Sequence, residues 1–106
     1  MKGFMVTSDS MGKNTSIIPP SDTLMMLVLT AGVSKSVTVP AGARVMLLSA
    51  TGNVFVRYGS APSLPTGDIL DGTAPELNPA ARRVDGFTTV GLVAPMDCVT
   101  TLAFYG

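Results

Sequence analysis

The stretch from Val37 to Tyr58, VTVPAGARVMLLSATGNVFVRY, constrains the fold more than any other part of the chain. It reads as three consecutive β-strands joined by two tight turns. Val37 and Val39 alternate with Ser36 and Thr38, the period-2 pattern of a half-buried strand. Pro40 ends that pairing because it has no N–H to give to a ladder. Val39-Pro40-Ala41-Gly42 fits a type I turn, with proline setting φ at the second position and glycine at the fourth. The next run places Ala43, Val45, Leu47 and Ser49 on one face and Arg44, Met46, Leu48 and Ala50 on the other. Gly52-Asn53 suits a two-residue type II′ hairpin loop, with glycine supplying φ > 0; a Thr51-Gly52 loop is the rival register. Both registers align Val45, Leu47 and Ser49 with Val54, Val56 and Tyr58, so that face is expected to be the core. The opposite face carries Arg44 and Arg57, but also Met46, Leu48 and Phe55. It is either ordinary apolar surface or a second buried face, made by sheet packing or by a partner.

Flanking segments extend the β pattern. Leu24-Met25-Met26-Leu27-Val28-Leu29 is apolar at every position, so periodicity alone does not separate strand from helix. Its length and the Ala31-Gly32 breaker favour a strand buried on both faces, although Ser21, Asp22 and Thr23 can cap a short helix. Residues 59–86 are irregular, punctuated by Pro62, Pro65, Pro75 and Pro79, with Ile69, Leu70 and Leu77 expected to pin the loop to the body. Phe87 to Val93 is rich in β-formers, Ala94-Pro95-Met96-Asp97 makes a turn, and Cys98 to Tyr105 is the last strand. The expectation is an all-β, single-domain β-sandwich or small jelly roll of six to seven strands over residues 23–106, preceded by an extended N-terminal arm, residues 1–22.

That arm is rich in Ser, Thr, Gly, Lys and Asn and shows no sustained period. Pro19-Pro20 favours an extended backbone at its end. It is either a loose terminus or a segment that orders on a neighbour, with Phe4, Met5, Val6, Ile17 and Ile18 as anchors. Arg82 and Arg83 form the one basic pair; they are either solvated or able to grip a partner carboxylate bidentately.

Composition narrows the function classes. Charged residues are 13% of the 106, against about 25% in ordinary soluble domains. Seven basic and seven acidic residues give a net charge of zero. Such a surface has little to keep copies apart, and self-association covers it most simply. A balanced charge also disfavours nucleic acid, which needs a basic face. The longest apolar run is far short of a bilayer span, and the start lacks a signal-peptide pattern, so folding in the cytoplasm is expected.

No catalytic signature is present. Without histidine there is no Ser-His-Asp or Cys-His arrangement and no ordinary zinc site. The glycines lie between strands, where none opens a helix as a phosphate-binding loop requires. Asp68 and Asp71 before Gly72 faintly resemble a calcium loop but lack its alternating ligands and closing glutamate, so a solvated turn is expected. Cys98, the one cysteine, is expected to be a small buried hydrophobe, an intermolecular bridge being the alternative. Neither enzyme activity nor a cofactor is expected.

Three stretches carry a resemblance. VTVPAGARVMLLSATGNVFVRYG, ELNPAARRVDGFTTVGLVAP and CVTTLAFYG together resemble small all-β virion proteins of tailed bacteriophages, over roughly Ser36 to Gly106. The resemblance implies a capsid decoration or cement protein that binds the major capsid protein as an oligomer, by analogy a trimer at three-fold sites, or a protein elsewhere in the particle. The alternative class is a ligand- or receptor-binding β-sandwich of a tail or fibre. A cluster of exposed aromatics would mark that class, whereas Phe55, Tyr58, Phe104 and Tyr105 fall in expected strands.

Overall fold

A computed structural model of the chain describes residues 1–3 and 18–106, and the described residues form no helix. Eight strands follow one another: β1 (Thr23–Leu29), β2 (Lys35–Thr38), β3 (Val45–Ala50), β4 (Phe55–Tyr58), β5 (Glu76–Leu77), β6 (Ala81–Arg83), β7 (Thr89–Val93) and β8 (Cys98–Tyr105). They make two antiparallel four-stranded sheets, ordered β1-β8-β3-β6 and β2-β7-β4-β5, an arrangement compatible with a β-sandwich. The core lies between them. Leu27, Leu29, Met46, Leu102 and Phe104 of the first sheet meet Val56, Val90 and Leu92 of the second in one apolar cluster.

The central stretch folds differently from its expected meander. β2 and β4 belong to one sheet and β3 to the other, so the chain crosses the sandwich twice. Gly52 does not take a positive φ, and no two-residue hairpin forms there. Hydrogen bonds from distant segments hold this crossing instead. Thr51 N–H donates to Val99 O at 3.0 Å, and Val99 N–H donates to Thr51 Oγ1 at 3.0 Å. Val54 N–H donates to Asn78 Oδ1 at 2.8 Å, and Asn78 N–H returns a bond to Val54 O at 2.9 Å. With the hairpin gone, the parity that tied β3 to β4 is lost. Val54 and Val56 are buried as expected, with Tyr58 packed against the core, but on β3 the inward residues are Met46 and Leu48, not Val45 and Leu47.

The first turn also shifts by one residue. Ala43 N–H donates to Pro40 O at 3.0 Å, and Gly42 has φ 84°. A positive φ at the third position is the type II signature, and glycine meets it without strain.

The 59–86 segment contains two short strands that its prolines conceal. β5 pairs with β4, and β6 pairs with β3 at the edge of the other sheet. Between them Asn78 takes φ 50°, which asparagine tolerates better than most residues. Ile69, Leu70 and Leu77, expected to pin this segment, are exposed. Pro62 and Pro79 are buried and tie it down.

Residues 60–62 lie directly over β7. A Cβ on Gly91 would sit 2.5 Å from Ser60 O and 2.6 Å from Pro62 Cδ, so only glycine fits there. Gly91→Ala is expected to destabilise the protein by about 3 kcal/mol or more, the upper range for overpacking. A denaturant melt checks this, and a change below about 1 kcal/mol would mean the segment does not rest on β7.

Candidate interaction surface

The cross-strand rows of the first sheet define its outer face. Leu24 of β1 stands opposite Ala103 of β8, which stands opposite Leu47 of β3, which stands opposite Ala81 of β6. The next rows are Met26, Thr101 and Ser49, then Val28 and Val99. Side chains alternate across a strand, so these residues share the face turned away from the core. Leu24 is 61% exposed, Met26 69%, Val28 57% and Val99 36%. These rows carry no charge. Arg83, at the β6 corner, is paired with Asp85 through Nη2–Oδ2 at 2.6 Å. Across four strands the sheet offers water an almost uncharged, largely aliphatic surface.

This outer face corrects the expectation that β1 is buried on both sides. Met25, Leu27 and Leu29 turn inward as expected, but Leu24, Met26 and Val28 have no layer over them among the described residues. A run that is apolar at every position gives no sign of which face is bare. The one hint lay in β8, whose Val99, Thr101 and Ala103 share a face of only moderate hydrophobicity.

One end of the face is covered by the chain's own start. Tyr105 is buried, and its hydroxyl donates to Pro19 O at 2.7 Å. Ser21 Oγ donates to Phe104 O at 2.7 Å. Gly106 N–H donates to Lys2 O at 2.7 Å, and Lys2 N–H donates to Asp22 Oδ1 at 3.1 Å. Both described ends of residues 1–22 therefore sit at the C-terminal end of β8. Ile18 is half-buried there; Phe4, Met5, Val6 and Ile17 lie outside the described residues.

Arg82 and Arg83 sit on β6, and each has a carboxylate partner within the chain. Arg82 Nε and Nη2 reach Glu76 Oε2 at 3.0 and 2.9 Å, and Nε reaches Oε1 at 2.9 Å. Tyr58 Oη donates to the same Glu76 Oε1 at 3.1 Å. The two edge strands β5 and β6 are thus clamped across the open end of the sandwich. The Arg82 hydrogen bonds hold the Glu76 carboxyl below its ordinary range against the opposing pull of desolvation, and the Tyr58 bond adds to them. Burial, then the Glu76 bond, pushes the Tyr58 phenol well above its usual value.

A group whose folded pKa is depressed stabilises the fold above its unfolded pKa and loses that contribution as pH falls through the folded one. Stability should therefore decline below about pH 4, and Glu76→Gln should flatten that acid limb. The pair is part-exposed, so the change is modest. Melts from pH 2 to 7 on both proteins check this; parallel curves would remove the clamp's role.

Two hollows remain. One, of about 420 Å³, is an open groove between the Pro40–Ala43 turn and the Val84–Phe87 turn, with Arg44 and Asp85 on its rim. The other, of about 320 Å³, lies beside Tyr58, Phe87 and Glu76. The Tyr58 and Phe87 rings pack tilted at 45° with centroids 5.7 Å apart, and Phe87 is 43% exposed. Asp71 Oδ1 accepts both the hydroxyl and the N–H of Thr73, at 2.6 and 3.1 Å, a local turn. No group of three metal-ligating side chains gathers among the described residues. Cys98 is buried, 3.9 Å from Thr100 Oγ1, in the role expected of a small hydrophobe. Comparison with protein-family models, with curated proteins and with solved structures gives no match.

Proposed function

We propose that this chain is a non-enzymatic structural protein of a phage particle, a capsid decoration or cement protein that self-associates and binds the shell through its apolar surface and its N-terminal segment. The observation that carries this reading is the bare outer face of the β1-β8-β3-β6 sheet. Four side chains of that face are at least a third exposed, in a chain whose net charge is zero. A contiguous apolar face of this kind marks an interaction site rather than random surface. The strand pairing adds support. β1 pairs with β8, β2 with β7, β3 with β6 and β4 with β5, as in one long hairpin rolled on itself. We read that as a jelly roll, an architecture used in viral capsid domains. Fold alone does not assign function, so the surface is the stronger support.

The test is copy number. Purified particles carrying this protein should contain it in a fixed ratio to the major capsid protein, and emptied capsids should rebind it to that ratio. Its absence from particles, or a handful of copies at the tail, would overturn the decoration role. The hollow beside Tyr58 and Phe87 favours the alternative, a receptor-binding module, but a single exposed aromatic ring beside a carboxylate already held by Arg82 is a thin ligand site.

A further inference from the structure

We propose that β1 pairs edge to edge with β1 of a second copy, antiparallel about a two-fold axis through Met26. The proposal rests on the self-association in the reading above and names its surface. β1 stands at the end of its sheet, with β8 on one side and no strand on the other among the described residues.

The hydrogen-bond parity of that edge can be read from its neighbours. Thr51 pairs with Val99 on the β3 side, so odd residues of β8 bond toward β3 and even residues toward β1. The β1 register then aims Thr23, Met25, Leu27 and Leu29 at β8. Leu24, Met26 and Val28 aim their N–H and C=O groups at the open edge. Those three residues are also the exposed ones.

The partner follows from what this edge can match. It is seven residues long and carries no charge or proline, the usual guards of a free edge. The other three edge strands are shorter. β6 has three residues and both arginines, β5 has two, and β2 has four beginning with Lys35. Among the described edge strands only β1 itself offers a full-length match. With the axis at Met26, Leu24 faces Val28 of the other copy and Met26 faces Met26, so every edge-pointing group finds a complement. Such a contact is isologous and closes on itself. No like charges meet. One group is already engaged: Lys35 Nζ donates to Val28 O at 2.6 Å. A carbonyl accepts two bonds, so the lysine does not block the pairing. The two outer faces would then join into one apolar surface of double width, facing the same way.

The test uses the full chain. Native mass spectrometry should give a dimer. Met26→Pro removes an N–H that β8 does not use and places a ring at the edge. At concentrations where both proteins are monomeric it should leave the melting curve unchanged, and it should raise the dimer dissociation constant on the order of tenfold or more, at least the loss of one net hydrogen bond. A second variant stands even if the first folds poorly. Met26→Cys places two cysteines about 5.5 Å apart between Cα atoms, within disulfide reach, so mild oxidation should link the dimer. Leu24→Cys should not self-link, because its two copies lie roughly 14 Å apart along the strands. Native Cys98 is buried and does not compete. A trimer, a dimer indifferent to Met26→Pro, or equal linking by Leu24→Cys would overturn the pairing and leave self-association standing. A monomer at all concentrations would remove both.

Discussion

Phe104→Ala should be among the most damaging single substitutions in the protein, with a loss of about 3–5 kcal/mol. The ring is fully buried, and it lies on β8, which carries a strand on each side. Its cross-strand neighbours are Thr23 on β1 and Met46 on β3. Truncation to alanine leaves a cavity that two flanking ladders prevent from collapsing, so most of the transfer energy and the cavity penalty are both felt. Domains of this size are stable by only about 5–15 kcal/mol, so the loss is a large share of the total. A denaturant melt with an unchanged m-value and a midpoint far below wild type is the expected result. A loss under about 1.5 kcal/mol would mean the core is not centred between these sheets.

Met46→Ala is the second large effect, at about 2–5 kcal/mol, and its neighbour supplies the control. Met46 is 1% exposed and belongs to the core cluster, whereas Leu47 is half-exposed on the outer face. Leu47→Ala should therefore cost well under half as much as Met46→Ala in the isolated chain. Melts of the two variants decide the orientation of β3. If Leu47→Ala proved the more costly, the sheet would be turned over.

That pair also marks where sequence reasoning stops. Alternation on β3 separated Met46 and Leu48 from Val45 and Leu47 correctly, but it did not say which set faces the core. The choice depended on a hairpin to β4, and the hairpin is absent. The crossing between sheets is held by Thr51 with Val99 and by Asn78 with Val54, contacts 48 and 24 residues apart. Local patterning carries no trace of such bonds until the partners are known. Strands whose turns are local were legible: β8 runs from Cys98 to Tyr105 as expected, and the β7–β8 connection falls at Ala94 to Asp97. β5 and β6 were hidden because two and three residues are too few for a period to register.

The candidate surface was legible in kind but not in place. Low charge pointed to covered apolar area, and the structure has an apolar face with no layer over it among the described residues. Its most exposed apolar side chains are on β1 and β8, whereas Met46 and Leu48 of the central stretch, left open between surface and buried face, turn into the core. Of the anchors expected on the N-terminal segment, only Ile18 is among the described residues. Arg82 and Arg83 meet Glu76 and Asp85 of their own chain, which leaves the aliphatic rows as the stronger candidate for contact.

The proposed decoration role requires that the outer face of the β1-β8-β3-β6 sheet be covered by another protein in the assembled particle. Leu24→Lys combined with Val99→Lys tests it most directly, because both side chains are exposed and neither belongs to the core cluster. The doubly substituted chain should melt as the wild type does. In sedimentation with emptied capsids, the wild-type chain should pellet at a fixed ratio and the variant should stay in solution. A variant that pellets as completely as the wild type would contradict the claim.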